Sequence, residues 1–572
     1  MGQGQDTIAM SCLETAHRNG HWVILNNVHL MPKWLVELEK KLDEYATEGS
    51  HAKFRVFLTS DPSTTIPIGI LSRCIKVTNE PPSGLKANLK RAWCFFSKEY
   101  VEQMDSKTKS ILFGLCYFHS IMMERKTFGP MGFNMKYPFS IGDLRDSATC
   151  LQNYMDSTSG GKIPWDDLRY IFGEIMYGGH IVNDYDRLVA KEYLSFYMKD
   201  ELLDETEMYP YAQEDAVGSG GGSRNSRNLA SPSFLSPIPT SFDKYIHHID
   251  TAMKEDTPIA FGLHPNAEIG FRTQQSNVLF RTILDLQPKP GPSSGGVASP
   301  QKIAEAAALD LLERYGEKHF DTEELIRGLD EQGPYQNVLI QEMEVVNGLL
   351  AEIKRSIREL QLGFAGELTM SEPMEQLMAC LYRDRVPTEW TNLSWPSARP
   401  LSSWSSNVTD RLSQLEDWGS NPNELPKVVW LSGLANPNSF LTAIRQVHAQ
   451  KNGVQLDELG IHTDVTNKWD AETVNEPPRE GVYVSGIFID GARLDDKGFL
   501  TTSRPKEMSV ACPIILCRAV RQKQQARGGV YQCPLYLTKE RGASFVTEIQ
   551  LPTRSSSARW CLAGVACLLD PA

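Results

Sequence analysis

Apolar positions recur at two different spacings along this chain, and the spacing predicts where helices and strands lie. Residues 6–19 place Ile8, Cys12 and Thr15-Ala16 on one helical face, and Gly20 is suited to ending that helix. Trp22–Leu25 then reads as a short buried strand. Pro32–Tyr45 predicts a second helix, with Pro in its first turn and Leu35, Leu38 and Leu42 on one stripe. FRVFLTSDP (54–62) reads as another buried strand that stops at a turn. Two β-type runs around a helix predict parallel strands joined by a crossover, hence an α/β sheet.

From 85 to 205 and from 303 to 386 the period is helical. The segment 338–362 places Ile340, Met343, Val346, Leu350, Ile353, Ile357 and Leu360 at spacings of three and four. That predicts a long amphipathic helix, either facing a bundle core or binding a partner as a coiled coil. The last ~100 residues change period again. The runs 481–494, 509–519, 530–538, 543–552 and 559–569 are β-rich, with Gly or Pro between them, and predict a small antiparallel barrel or sandwich.

Between these blocks, 216–239 and 287–301 are rich in Gly, Ser and Pro and read as linkers that bury too little apolar surface to fold. A further loop is expected at 553–558, TRSSSA. The chain has 572 residues, room for about three or four domains of ~150 residues. Its net charge of −13 argues against a nucleic-acid partner. No apolar run reaches the ~18 residues of a transmembrane helix, so no membrane partner is expected, and the N-terminus lacks signal-peptide patterning. The 11 cysteines are scattered, with no CxxC, and read as reduced, mostly buried thiols of the cytosol rather than a metal site.

The candidate chemistry lies near the start. Gly2-Gln3-Gly4-Gln5-Asp6-Thr7-Ile8-Ala9 has the length of a phosphate-binding loop, GxxxxGK[ST], and opens a helix as such a loop must. However, Thr7 stands at the second glycine, Ile8 at the lysine and Ala9 at the hydroxyl that would reach Mg²⁺. WVILNN then occupies the place of an apolar strand ending in two acids. Asn26 brings no charge for a cation, and Asn27 cannot act as a general base. Thr59 and Ser60 sit where a polar sensor would end the next strand. The absence of lysine, hydroxyl and both acids together argues against hydrolysis, so no catalytic residue is assigned. His247-His248, Asp166-Asp167 and Asp184/Asp186 lack metal-site spacing and read as solvated or capping residues, so no metal ligands are assigned.

These residues carry a resemblance. GQGQDTIAM, HWVILNNVHLMPKWL, FRVFLTSDP and IPIGILSRCIKVTNEPPSGLKANLKRAW resemble the sixth AAA+ module of dynein heavy chains. GKIPWDDLRYIFGEIMYGGHIVNDYDR and FGLHPNAEIGFRT resemble that family's helical lid. WLSGLANPNSFLTAIRQVHAQ, PPREGVYVSGIFIDGARLD, YQCPLYLT and WCLAGVACLLD resemble its C-terminal domain. The wording YGGHIVNDYDR and LHPNAEIGF is most similar to axonemal, outer-arm chains.

The resemblance implies a multidomain α/β, α and β fold. Residues 1–85 would be a degenerate AAA+ large subdomain lacking its first strand, and 86–215 a helical lid. A linker or insertion (216–239) and a lid continuation (240–286) would follow. A second linker (287–301) would lead to a C-terminal domain, helical over 302–470 and ending in a small antiparallel β-barrel over 471–572. Only one helix separates Gly4 from Trp22, fewer elements than an intact AAA+ core places there.

The resemblance also implies a function. The whole motor is an ATP-driven, minus-end-directed microtubule motor for ciliary or flagellar beating, found in cytoplasm, cytoskeleton and axoneme. ATP and Mg²⁺ act in its other modules, and this piece would bind no cofactor and would close and brace the ring. Implied partners are the remaining AAA+ modules and linker of the same heavy chain, intermediate and light chains, and microtubules reached through a stalk that this chain lacks. The expectation is therefore a piece of a longer heavy chain. Two other readings are a freestanding AAA+ ATPase and a freestanding regulatory or decoy subunit that docks on a motor without hydrolysis. Arg73, in LSRCIKV, stands where an AAA+ ring can place an arginine finger, or is a surface arginine.

Overall fold

The computed structural model describes residues 2, 4–63, 65–78, 82–157, 162–211, 233–253, 257–286, 299–521 and 529–571. Most of both predicted linkers falls outside the described residues. The chain divides into two compact units, Met1–Pro82 and Ser83–Ala572.

The first unit follows the hydrophobic pattern closely. Its first helix spans Asp6–Asn19 and ends where Gly20, at φ +75°, donates its N–H to the Ala16 carbonyl. Strand β1 (Trp22–Leu25) and strand β2 (Arg55–Leu58) pair in parallel, with Trp22 opposite Arg55 and the helix Pro32–Glu48 as the crossover. Leu13, Leu25, Val28, Leu35, Leu38 and Ile70 form the core of this unit. The reading of both strands as buried is corrected. Alternate side chains point away from the two helices, leaving Trp22 68% and Ile24 63% exposed, with Phe57 beside Trp22 at 5.3 Å. A two-stranded sheet backed by helices on one face hides only every second residue.

The second unit is built around the helix Ser106–Arg125, buried on nearly all sides. The helices Leu85–Cys94, Ile141–Ser157 and Asp184–Tyr197 surround it. The helix Trp165–Tyr170 runs on into a π-helical turn, Ile171–Met176. Helical character is not continuous from 85 to 205. It breaks after Arg125, where Gly129 takes φ +61° and Pro130 follows. The helix Phe242–Ala252 returns to the first of these helices, with Tyr245 4.4 Å from the Trp93 ring and Asp250 2.8 Å from Lys90 Nζ.

The helix predicted at 338–362 spans Pro334–Ala365 and turns all seven named apolar residues into the core. Its environment is a bundle, with Trp390 donating to Ser356 Oγ at 3.0 Å and Trp404 stacked near Trp390.

The C-terminal strands are β3 (Val428–Trp430), β4 (Leu459–Val465), β5 (Val482–Ser485), β6 (Phe488–Asp490), β7 (Arg493–Leu494), β8 (Leu500–Thr501), β9 (Val510–Ala511), β10 (Ile515–Arg521), β11 (Val530–Thr538), β12 (Phe545–Pro552) and β13 (Ala566–Asp570). Their sheets run β3-β5-β10-β4 and β12-β11-β13-β6-β9, with β7 and β8 as a separate pair. The antiparallel barrel is thus corrected. Among the described residues both larger sheets are open, and β3–β5 and β11–β13 pair in parallel. Two strands, β3 and β4, come from inside 302–470, the stretch expected to be helical. The run 559–569 is not one strand. Ser557–Leu562 is a helix, and a turn at Gly564 (φ +67°) precedes β13. Residues 553–558 are a hydrogen-bonded entry to that helix, with Thr553 Oγ1 accepting from Trp560 Nε1 at 2.7 Å. The two sheets are tied edge to edge where Thr463 of β4 and Gln550 of β12 exchange hydrogen bonds of 2.7 Å. Among the described residues no helix is long and apolar enough to cross a membrane.

Candidate functional site

The loop that resembles a phosphate cradle is folded on itself. Gly4 takes φ +80°. The Gly2 N–H donates to Gln5 Oε1 at 3.0 Å, and the Gln5 N–H donates back to the Gly2 carbonyl at 3.2 Å. Asp6 is the first residue of the helix, so a carboxylate stands where a phosphate would meet the N-terminal dipole. Thr7 and Ile8 are exposed, and the Ala9 methyl is packed into the core. These residues do not fit a magnesium nucleotide: they offer no cation, no metal-directed hydroxyl, and a like charge at the helix entrance.

The second group is brought together as the strand order requires. Asn27 adopts a left-handed conformation, φ +55°, directly after β1. Its N–H donates to Thr59 Oγ1 at 2.9 Å, and that hydroxyl donates to Asn26 Oδ1 at 3.3 Å. The Thr59 N–H bonds the Leu25 carbonyl at 3.0 Å, extending the β1–β2 ladder by one step. Ser60 turns to its own chain and bonds the Asp61 carbonyl. Arg73 ends the helix Ile68–Arg73 and pairs with Asp43 on the crossover helix. Asn26, Asn27 and Thr59 therefore form a neutral clasp that holds the strand ends in register. Thr59→Val is expected to cost about 1 kcal/mol in the first unit. It should speed hydrogen exchange at the Asn27 and Val28 amides and leave the second unit unchanged. Unchanged exchange at those two amides would remove the clasp.

The second unit contains a buried polar junction that the sequence did not reveal. Arg125 is completely buried. Its Nε donates to the Gly132 carbonyl at 2.7 Å, one terminal nitrogen to the Phe261 carbonyl at 2.9 Å and to the Tyr193 hydroxyl, and the other to the Leu562 carbonyl at 2.8 Å. One guanidinium thus joins segments up to 437 residues apart. Around it, Asn134 Nδ2 donates to Tyr536 at 3.0 Å, and Tyr185 donates to Glu548 at 2.6 Å. Asn266 Nδ2 donates to the Arg504 and Glu507 carbonyls, both at 2.7 Å. Asp186 is buried and accepts from the Asn134 and Met135 amides and the Tyr137 hydroxyl. Burial raises its carboxyl above the usual range, with the amide donors and Tyr137 opposing that shift. Of the two roles its sequence position allows, solvated or capping, Asp186 takes the second, capping a loop from inside the core. Arg125 had one weak signal, a charged residue ending the long apolar run SILFGLCYFHSIMMER.

The other candidates stay apart. Asp166 pairs with Arg169, His248 bonds the Leu235 carbonyl, and Asp184 lies in a helix first turn. Among the described residues no group of three or more His, Cys, Asp or Glu is placed to hold a metal ion.

Comparison with known proteins covers all 572 residues. The family model of the D6 P-loop domain region of dynein heavy chains matches residues 1–78, that of their AAA lid domain 108–267, and that of their C-terminal domain 273–569. Human dynein axonemal heavy chain 9 is 42% identical over all of this chain and 12% of its own length. The flagellar outer-arm dynein beta chain of Chlamydomonas reinhardtii is 42% identical with the same coverage, and the ciliary dynein beta chain of Tripneustes gratilla is 41% identical. The chain therefore spans about an eighth of the length of these relatives.

Proposed function

The chain belongs to the dynein heavy chains, and on that premise we propose that it is the non-catalytic, ring-closing end of an axonemal microtubule motor of cilia and flagella. The observation that carries the reading is the junction at Arg125. A lid and a C-terminal domain that share one buried guanidinium move as one body, which suits a brace rather than an independent engine. The dismantled nucleotide loop supports the same reading. ATP and Mg²⁺ would act in other modules of the heavy chain, and Arg73 in the intact motor would stay with Asp43 rather than serve as an arginine finger. Partners would be the remaining AAA+ modules and the linker, intermediate and light chains, and microtubules through the stalk.

Titration of the 572-residue chain with a fluorescent ATP analogue and Mg²⁺ is expected to show no saturable binding up to about 1 mM, against a barrier of missing charge contacts worth several kcal/mol. Saturable micromolar binding would defeat the cofactor-free reading. Whether the chain acts as part of a heavy chain or as a short docking subunit is read by immunoblot of cilia with an antibody to residues 338–362. A band of several hundred kilodaltons supports the first, and a discrete band at 64.2 kDa the second.

A further inference from the structure

Among the described residues, the contacts of the helix Asn266–Leu286 gather at its beginning. Asn266 is tied to the 504–507 turn, Ala267 is buried, and Phe271 lies 6.1 Å from the Phe128 ring. Its second half carries Leu279, Phe280, Ile283, Leu284 and Leu286, all exposed, with Phe280 at 62% and Leu286 at 79%, and Val278, also exposed, on another face. Elsewhere exposed apolar side chains on this unit's helices are scattered, which is ordinary, whereas five within eight residues is not.

The five are ordered. Leu279, Ile283 and Leu286 follow one another at i, i+4 and i+7, and Phe280 and Leu284 form a second row beside them. Two such rows make a ridge and groove of the kind that receives another helix. The stripe runs for only about 12 Å. A stable contact between free partners, or between two copies of this chain, takes roughly 20–30 residues a side, far more than this stripe offers. A segment of the same polypeptide needs less, because its effective concentration is set by the chain itself. Seven-eighths of the relatives' length lies outside this chain.

We propose that the 279–286 stripe is the seat of an amphipathic α-helix from another part of the same heavy chain, one that presents Leu, Ile, Val or Met at spacings of three and four. This rests on the reading of the chain as one part of a heavy chain. The test is p-benzoylphenylalanine placed at position 279 of the full heavy chain in its purified motor complex, then irradiation and mass spectrometry. Position 285, opposite the midline of the stripe at about 100° per residue, is the control. Crosslinks from 279 to heavy-chain residues outside this region, absent from 285, are expected. Hydrogen exchange over 278–286 should also be at least tenfold slower in the motor than in the 572-residue chain. Crosslinks to another copy, to a separate subunit or to residues of this chain, or none at all, would overturn the proposal. A 64.2 kDa immunoblot band fails the underlying reading. A several-hundred-kilodalton band without the crosslink fails this inference alone.

Discussion

Arg125→Ala is expected to lower the unfolding free energy of the second unit by ~3–5 kcal/mol, the cost of removing one member of a buried, charge-assisted network. The loss has two parts. The first is the carbonyls of Gly132 and Leu562, left in the core without their Arg125 donor, while that of Phe261 keeps only the Tyr193 hydroxyl. Each carbonyl that finds no water costs on the order of 1–3 kcal/mol. The second is the space left by a fully buried side chain, which also lies 5.3 Å from the Tyr193 ring centre and 5.8 Å from that of Phe133. Arg125→Met separates the two, since it restores volume but no donor. Arg125→Lys should fall between them, because one ammonium cannot reproduce a planar fork aimed at carbonyls from three segments. Urea unfolding followed by tryptophan fluorescence reads all three. A loss under about 1 kcal/mol for alanine would mean that the carbonyls rehydrate locally and that the junction is not a brace.

That junction also marks where sequence reading stops. The helix Asp6–Asn19, β1 and the helix Pro334–Ala365 were legible because each is a local matter of period and punctuation. The strand β3 was not, because three residues, VVW, give no period to count. The helix Ser557–Leu562 was hidden because SARWCL reads as well for a buried strand as for one buried turn of helix. The parallel β3–β5 and β11–β13 pairs depend on which distant strands meet, and no local signal encodes that. At the nucleotide loop the missing groups were plain in Ile8, Ala9, Asn26 and Asn27. The positive φ of Asn27, its clasp with Thr59 and the Arg73–Asp43 pair depend on how segments about 30 residues apart meet. Arg125 needed partners at 132, 193, 261 and 562, and no spacing rule connects those numbers.

His119 makes the stability of the second unit depend on pH in a calculable direction. It lies within the helix Ser106–Arg125, is 4% exposed, and its Nδ1 is 2.9 Å from the Tyr177 hydroxyl. Burial pushes its ring down from the ordinary 6.5 to about 4, with Arg91 adding to the fall and Asp143 opposing it. Folding thus favours the neutral ring. The stability this confers is whole above about pH 6.5, declines as pH falls, and is gone below about 4, where both states carry the proton. At pH 5 the deficit comes to about 2 kcal/mol, approaching roughly 3 kcal/mol at the acid limit. Asp186 and Glu342 act in the opposite sense, since burial raises both and folding favours their protonated forms. Their contribution is present below the ordinary carboxylate range and lost as pH rises through their raised values, so it partly masks His119 in acid. His119→Gln isolates the effect, because the amide still meets Tyr177 but does not titrate. Urea midpoints at pH 7.5 and 5 should differ more in the parent protein than in the variant, by the same ~2 kcal/mol. Equal differences in both would place the acid sensitivity elsewhere and show that the His119 ring gains water, and with it a proton, inside the folded helix.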